Sequence, residues 1–111
     1  MDFADLSGYG LENHIYSAAR LVVLWFSKVD RQLELWRQTQ VTLVNVRLSM
    51  ANVEIVGGFP TLKSCRVSEK PIPGTYRTEL LICFDKGELA FECEAITFTE
   101  LSRKIRFLPE Q

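Results

Sequence analysis

The residues able to do chemistry are few, and their spacing is poor for it. One histidine, His14, stands near Asp5, Ser7 and Ser17. A serine, a histidine and an acid brought together would perform acyl transfer. Such groups normally come from distant parts of a chain, and the GxSxG nucleophile elbow is missing here. His14 therefore reads as a structural or surface histidine. The cysteines Cys65, Cys83 and Cys93 are odd in number and show no CxxC spacing. With a single histidine they do not make a zinc set, so they read as free thiols packed as small hydrophobes in a reducing compartment. Gly8-Tyr9-Gly10 lacks the full GxGxxG pattern, and Gly57-Gly58 is not followed by the Gly-Lys-Ser/Thr of a phosphate loop, since Leu62 precedes Lys63-Ser64. Both read as turns rather than phosphate loops. Glu92 and Glu94 would share one face of a strand. A glycosidase needs two carboxyl groups facing each other across a cleft, one with a raised pKa, and nothing in the sequence indicates a cleft. No catalytic residue, metal ligand or cofactor is expected, and the chain does not read as an enzyme.

Binding chemistry is more visible. From Glu79 to Glu100 the acids Glu79, Asp85, Glu88, Glu92, Glu94 and Glu100 face Lys86 alone. From Arg20 to Arg47 the cations Arg20, Lys28, Arg31, Arg37 and Arg47 outnumber Asp30 and Glu34. Either the two segments neutralise each other within the fold, or the acidic one steers a basic partner. Among the aromatics, Trp25 lies in the most apolar run, Leu21 to Phe26, and is expected in the core. Trp36 lies among Glu34, Arg37 and Gln38 and is the better interface anchor. The expected partner-binding set is Trp36, Glu88, Glu92 and Glu94. The net charge of -1 argues against a dedicated nucleic-acid binder, which needs surplus cations for phosphate contacts.

These residues must be positioned by a chain of 111 residues, a length that fits one domain, 1–111, with a core of its own. No apolar run reaches the length of a membrane-spanning helix, and Met1 to Asp5 carries two acids and no base. The expected location is cytoplasmic, away from membranes. Breaks fall at Ser7–Gly10, Gly57–Pro60 and Pro71–Gly74. Thr78 to Phe84 and Leu89 to Thr99 read as a β-hairpin. A two-residue turn at Lys86-Gly87 pairs Phe84 with Leu89, Ile82 with Phe91 and Leu80 with Cys93, so one face is wholly apolar. Lys-Gly is a weak turn of this kind, but burial favours the arrangement. Cys83 and Cys93 then lie on opposite faces and cannot form a disulfide.

The apolar parity switches near Glu94-Ala95, where Ile96 and Phe98 fall in step with Glu92 and Glu94, and again between Leu43 and Val44. A bulge or bend at each place predicts strands that change face, as in an antiparallel sandwich or partial barrel. Residues 11–38 have two readings. As strands, Arg20–Ser27 and Arg31–Gln38 make a hairpin about Lys28-Val29-Asp30. As a helix, Leu11, Ile15, Ala19, Val22 and Phe26 recur at 3.6-residue spacing, and Asp30 could cap a further helix, giving an α+β fold. The β-branched and aromatic residues of Leu21 to Phe26 favour strands, hence a mainly β protein.

The layout resembles small β-rich bacterial immunity proteins of polymorphic toxin systems. The likeness rests on His14-Ile15-Tyr16-Ser17-Ala18 before an apolar strand, Leu43-Val44-Asn45-Val46, Ser49-Met50-Ala51-Asn52-Val53-Glu54-Ile55, and the hairpin ending Leu89-Ala90-Phe91-Glu92-Cys93-Glu94-Ala95-Ile96. It implies a cytoplasmic, non-catalytic protein that binds and neutralises a cognate toxin, and it carries over no functional residue. The acidic hairpin adds the expectation that the partner is a basic toxin domain, occluded at its active site. The competing expectations are a small-ligand-binding barrel or sandwich, with Trp25, Phe26, Phe91 and Phe98 lining its pocket, and a homo-oligomeric structural subunit.

Overall fold

Among the described residues the alternation of apolar and polar side chains resolves into eight antiparallel strands. The computed structural model describes residues 1–53, 59–72 and 75–104. A 3-10 turn, Phe3–Leu6, comes first, closed by a capping box between Asp2 and Asp5. The strands are β1 (Gly10–Tyr16), β2 (Val22–Asp30), β3 (Leu35–Val44), β4 (Leu48–Val53), β5 (Leu62–Ile72), β6 (Thr75–Phe84), β7 (Gly87–Cys93) and β8 (Ala95–Lys104). They form two four-stranded sheets, in the orders β1-β2-β3-β8 and β4-β7-β6-β5. Each sheet keeps two edge strands, so the fold is a sandwich and not a closed barrel. No helix among the described residues is long and apolar enough to cross a membrane.

The inner faces meet in a core of Leu11, Val22, Leu24, Phe26, Val41 and Leu43 from the first sheet with Leu62, Leu80, Ile82, Phe84, Leu89, Phe91 and Cys93 from the second. Phe3 and Leu6 of the 3-10 turn are buried with them. Phe26 stacks on Phe84 at 6.3 Å between ring centres. At roughly 1.5–3 kcal/mol for each large apolar side chain buried, this core is the main source of stability.

The helical reading of residues 11–38 does not hold. Leu11, Val22 and Phe26 are buried, but from two paired strands, and Ile15, which that reading places on the same stripe, is 48% exposed. The β2–β3 hairpin forms, though not about Lys28-Val29-Asp30. Those residues continue β2, Asp30 pairs with Leu35, and the turn is Arg31–Glu34. The Asp30 side chain accepts from the Leu33 amide, and Glu34 takes φ +50°.

The β6–β7 hairpin also forms, but two residues out of the expected register. Phe84 pairs with Gly87, Ile82 with Leu89 and Leu80 with Phe91. The turn is Asp85-Lys86, and the positive φ, +117°, falls on Gly87. Glycine after a type I turn tolerates that conformation and restores the strand twist. A shift of two leaves every side chain on its expected face. Cys83 and Cys93 do lie on opposite faces, and all three cysteines are free.

Both expected parity switches mark places where the chain passes from one sheet to the other. Asn45, between β3 and β4, takes φ +53°, and Glu94 forms a bend between β7 and β8. The two crossings run side by side. The Glu94 amide donates to the Val44 carbonyl and the Arg47 amide to the Glu92 carbonyl. The ladder between β3 and β8 is thereby carried through the corner into that between β4 and β7. Of the expected breaks, Gly57, Gly58, Pro73 and Gly74 lie outside the described residues.

Candidate partner-binding surfaces

Two outward sheet faces carry the residues singled out by sequence, and they look in opposite directions. On the second sheet the outward rows are Ser64, Cys83 and Glu88; Arg66, Leu81 and Ala90; and Ser68, Glu79 and Glu92. The small side chain of Ala90 leaves a groove of about 360 Å³, lined also by Arg66, Ser68, Glu79, Leu81 and Glu92.

Glu92 is not the solvated strand-face acid it was expected to be. Arg77 Nε donates to its carboxylate at 2.6 Å, and the two side chains are 2% and 16% exposed. Arg77 also approaches the Glu94 carboxylate at 3.5 Å and donates to the Asn45 carbonyl at 2.8 Å. One buried guanidinium thus ties both crossings together. Its donors find a carboxylate and a carbonyl, which is the condition for keeping a buried cation. Arg77 escaped the sequence reading because it lies just before the acidic run. The signal that could have found it is its parity with Glu79, on a strand whose pairing carries it toward Glu92 and Glu94.

On the first sheet the outward face belongs to Trp25 and Trp36. Trp25 is not in the core: it shares parity with Val23 and Ser27, opposite to buried Leu24 and Phe26, and is half-buried. Trp36 is half-buried between Val29 and Arg103, its cross-strand neighbours, with the Arg103 guanidinium 4.5 Å from its ring centre. Trp25 with Val23 and Ile15 makes one apolar group, and Trp36 with Val29 and Leu101 makes another. Ile15, Val29 and Leu101 are 48%, 46% and 56% exposed. Between the groups Gln38 Nε2 donates to Glu12 across the small Ser27 at 2.8 Å.

The expected binding set is therefore divided. Trp36 lies on the outward face of the first sheet, Glu88 and Glu92 on that of the second, and Glu94, 41% exposed, at the corner. Nor do Trp25, Phe26, Phe91 and Phe98 share one pocket, since Trp25 faces out while Phe26 and Phe91 are packed in the core. His14 Nδ1 lies 3.2 Å from the Tyr16 hydroxyl, and Asp5 is engaged in the capping box. Burial pushes the Cys65 thiol up to about 12, with Cys83 adding to the shift, and burial also raises Cys93. These thiols are held protonated, the opposite of an activated nucleophile.

Comparison with known proteins finds no family model that matches this chain and no curated protein that matches it.

Proposed function

We propose that this chain is a non-catalytic protein-binding module whose contact surface is the outward face of the first sheet. The supporting observation is the composition of that face. An antiparallel sheet packed on one side normally turns polar residues to water. Here the water side carries Trp25 and Trp36 with Ile15, Val23, Val29 and Leu101. Apolar and aromatic side chains grouped around a few amides suit a partner interface, where tryptophan and arginine carry much of the binding energy. The partner implied by the sequence resemblance is a bacterial toxin domain, neutralised by occlusion in the cytoplasm. The acidic hairpin would act at longer range, chiefly through Glu88, because Arg77 engages Glu92 and also pairs with Glu94.

The test uses Trp36→Asp with Leu101→Asp. This variant should remain folded, at a lowered unfolding midpoint, and lose a partner captured from the native host, then purified and titrated. Glu88→Lys should slow association in low salt and leave dissociation nearly unchanged. Equal affinity of wild type and the double aspartate variant for the purified partner would refute the assignment of this face.

A further inference from the structure

The four edge strands are not equally protected. β1 carries a bulge at Glu12, and its start is covered by the segment after Phe59: the Leu11 amide donates to the Pro60 carbonyl and the Leu62 amide to the Tyr9 carbonyl. β5 carries a bulge at Lys63 and contains Pro71, which has no amide hydrogen to offer. β4, Leu48–Val53, is the shortest strand among the described residues. These are the usual means of blunting a sheet edge. β8 has none of them. It runs for ten residues without proline, its register against β3 is unbroken, and Ala95–Thr99 carries no charge. Among the described residues no backbone hydrogen bond is made on its far side.

Among the described residues the sandwich is also open along this side. β8 and β5 are the edges of their sheets, and between them lies a cleft of about 270 Å³, lined by Phe3, Cys65, Val67, Ile96 and Phe98 together with Asp2 and Ala4. The Asp2 carboxylate is occupied by the Ala4 amide. Val67 alternates with Cys65 on the inward side of β5 yet is 52% exposed, because none of the described residues covers it there. Phe3 fills the back of the gap, edge-on to Phe98 at 5.2 Å.

We propose that the β8 edge and this cleft form an acceptor site for an extended segment of a partner protein. That segment would carry small or medium apolar side chains at alternate positions. Laid beside β8, its backbone completes the ladder, and every second side chain falls over Val67, Ile96 and Phe98. Strand addition gains affinity from the main chain and specificity from the alternate side chains. The β8 of a second copy fits poorly. Two-fold pairing about Thr97 would set Glu94 against Glu100 twice, and pairing about Phe98 would set Glu100 against Ile96 over the apolar cleft. The proposal deepens the protein-binding reading but uses a different surface, so either can fail alone.

The probe is a ten-residue peptide alternating valine and threonine with a lysine at each end, titrated into the full chain and followed by backbone amide NMR. Saturable shifts are expected in β8 and around Cys65 and Val67. N-methylation of alternate peptide amides should weaken binding by ~tenfold or more, as should Val67→Glu, an exposed position that leaves the core intact. Trp36→Asp should leave peptide binding unchanged. No saturable binding, equal binding of the N-methylated peptide, or shifts confined to the outward face would overturn the proposal. Concentration-dependent dimerisation abolished by Val67→Glu would assign the site to a second copy instead, and overturn it equally.

Discussion

Arg77 shows how one side chain can change the meaning of its neighbours. Glu92 reads in sequence as a surface acid, free to meet a partner. With its carboxylate 2.6 Å from a buried guanidinium, it is neither. Removing one member of a buried pair leaves the other desolvated and unpaired, which costs about 3–5 kcal/mol. Urea unfolding of Glu92→Lys should show a loss of that order, whereas Glu94→Gln, at an exposed position, should lose under ~1 kcal/mol. Equal effects would deny Glu92 its special place. Cys65 sets a pH dependence. Its folded pKa lies at about 12 against an ordinary 9.0, so the folded state keeps a proton that the unfolded chain releases. The resulting stability is complete below pH 9 and lost as the pH rises toward 12. Cys65→Ala should therefore flatten the alkaline fall of the unfolding midpoint; an identical alkaline limb would contradict it.

At the level of strands, what could be read in advance followed from periodicity, and so did what could not. Parity placed Leu80, Ile82, Phe84, Leu89, Phe91 and Cys93 on one face, as found. A two-residue slip preserves parity, so burial cannot distinguish the true register from its neighbour. Turn chemistry decides instead, and Gly87, read as a central turn residue, is the positive-φ residue after the turn. Gly87→Ala should cost about 1–2 kcal/mol, since only glycine takes that conformation freely; thermal unfolding would detect it. The misplaced β2–β3 turn has a different origin. β2 and β3 run beyond the core, where the inward side chains are Lys28, Asp30 and Arg37 beside Tyr9, so polar residues that resemble a turn are still strand. Trp25 was illegible because Leu21 to Phe26 is apolar on both sides, which hides the parity. Both corners were legible, because a change of sheet must change parity.

For the molecule as a whole, the sandwich separates properties that lie close together in sequence. The acidic hairpin and Trp36 face opposite ways, a separation that charge counting along the chain cannot show. The shared corner has a further consequence, for the order of folding. Leu35 pairs with Lys104 and Val44 with Ala95, contacts so distant in sequence that the loop they close makes them slow to find at random. Once the β6–β7 hairpin has captured β4, however, Glu92 and Arg47 already touch, and Val44 is brought beside Glu94. From there β3 and β8 can close pair by pair, away from the corner, like a zip. Stopped-flow refolding should then find that Arg77→Met slows folding, while changes at Arg103 mainly speed unfolding. The buried arginine would be the slider from which the last ladder starts.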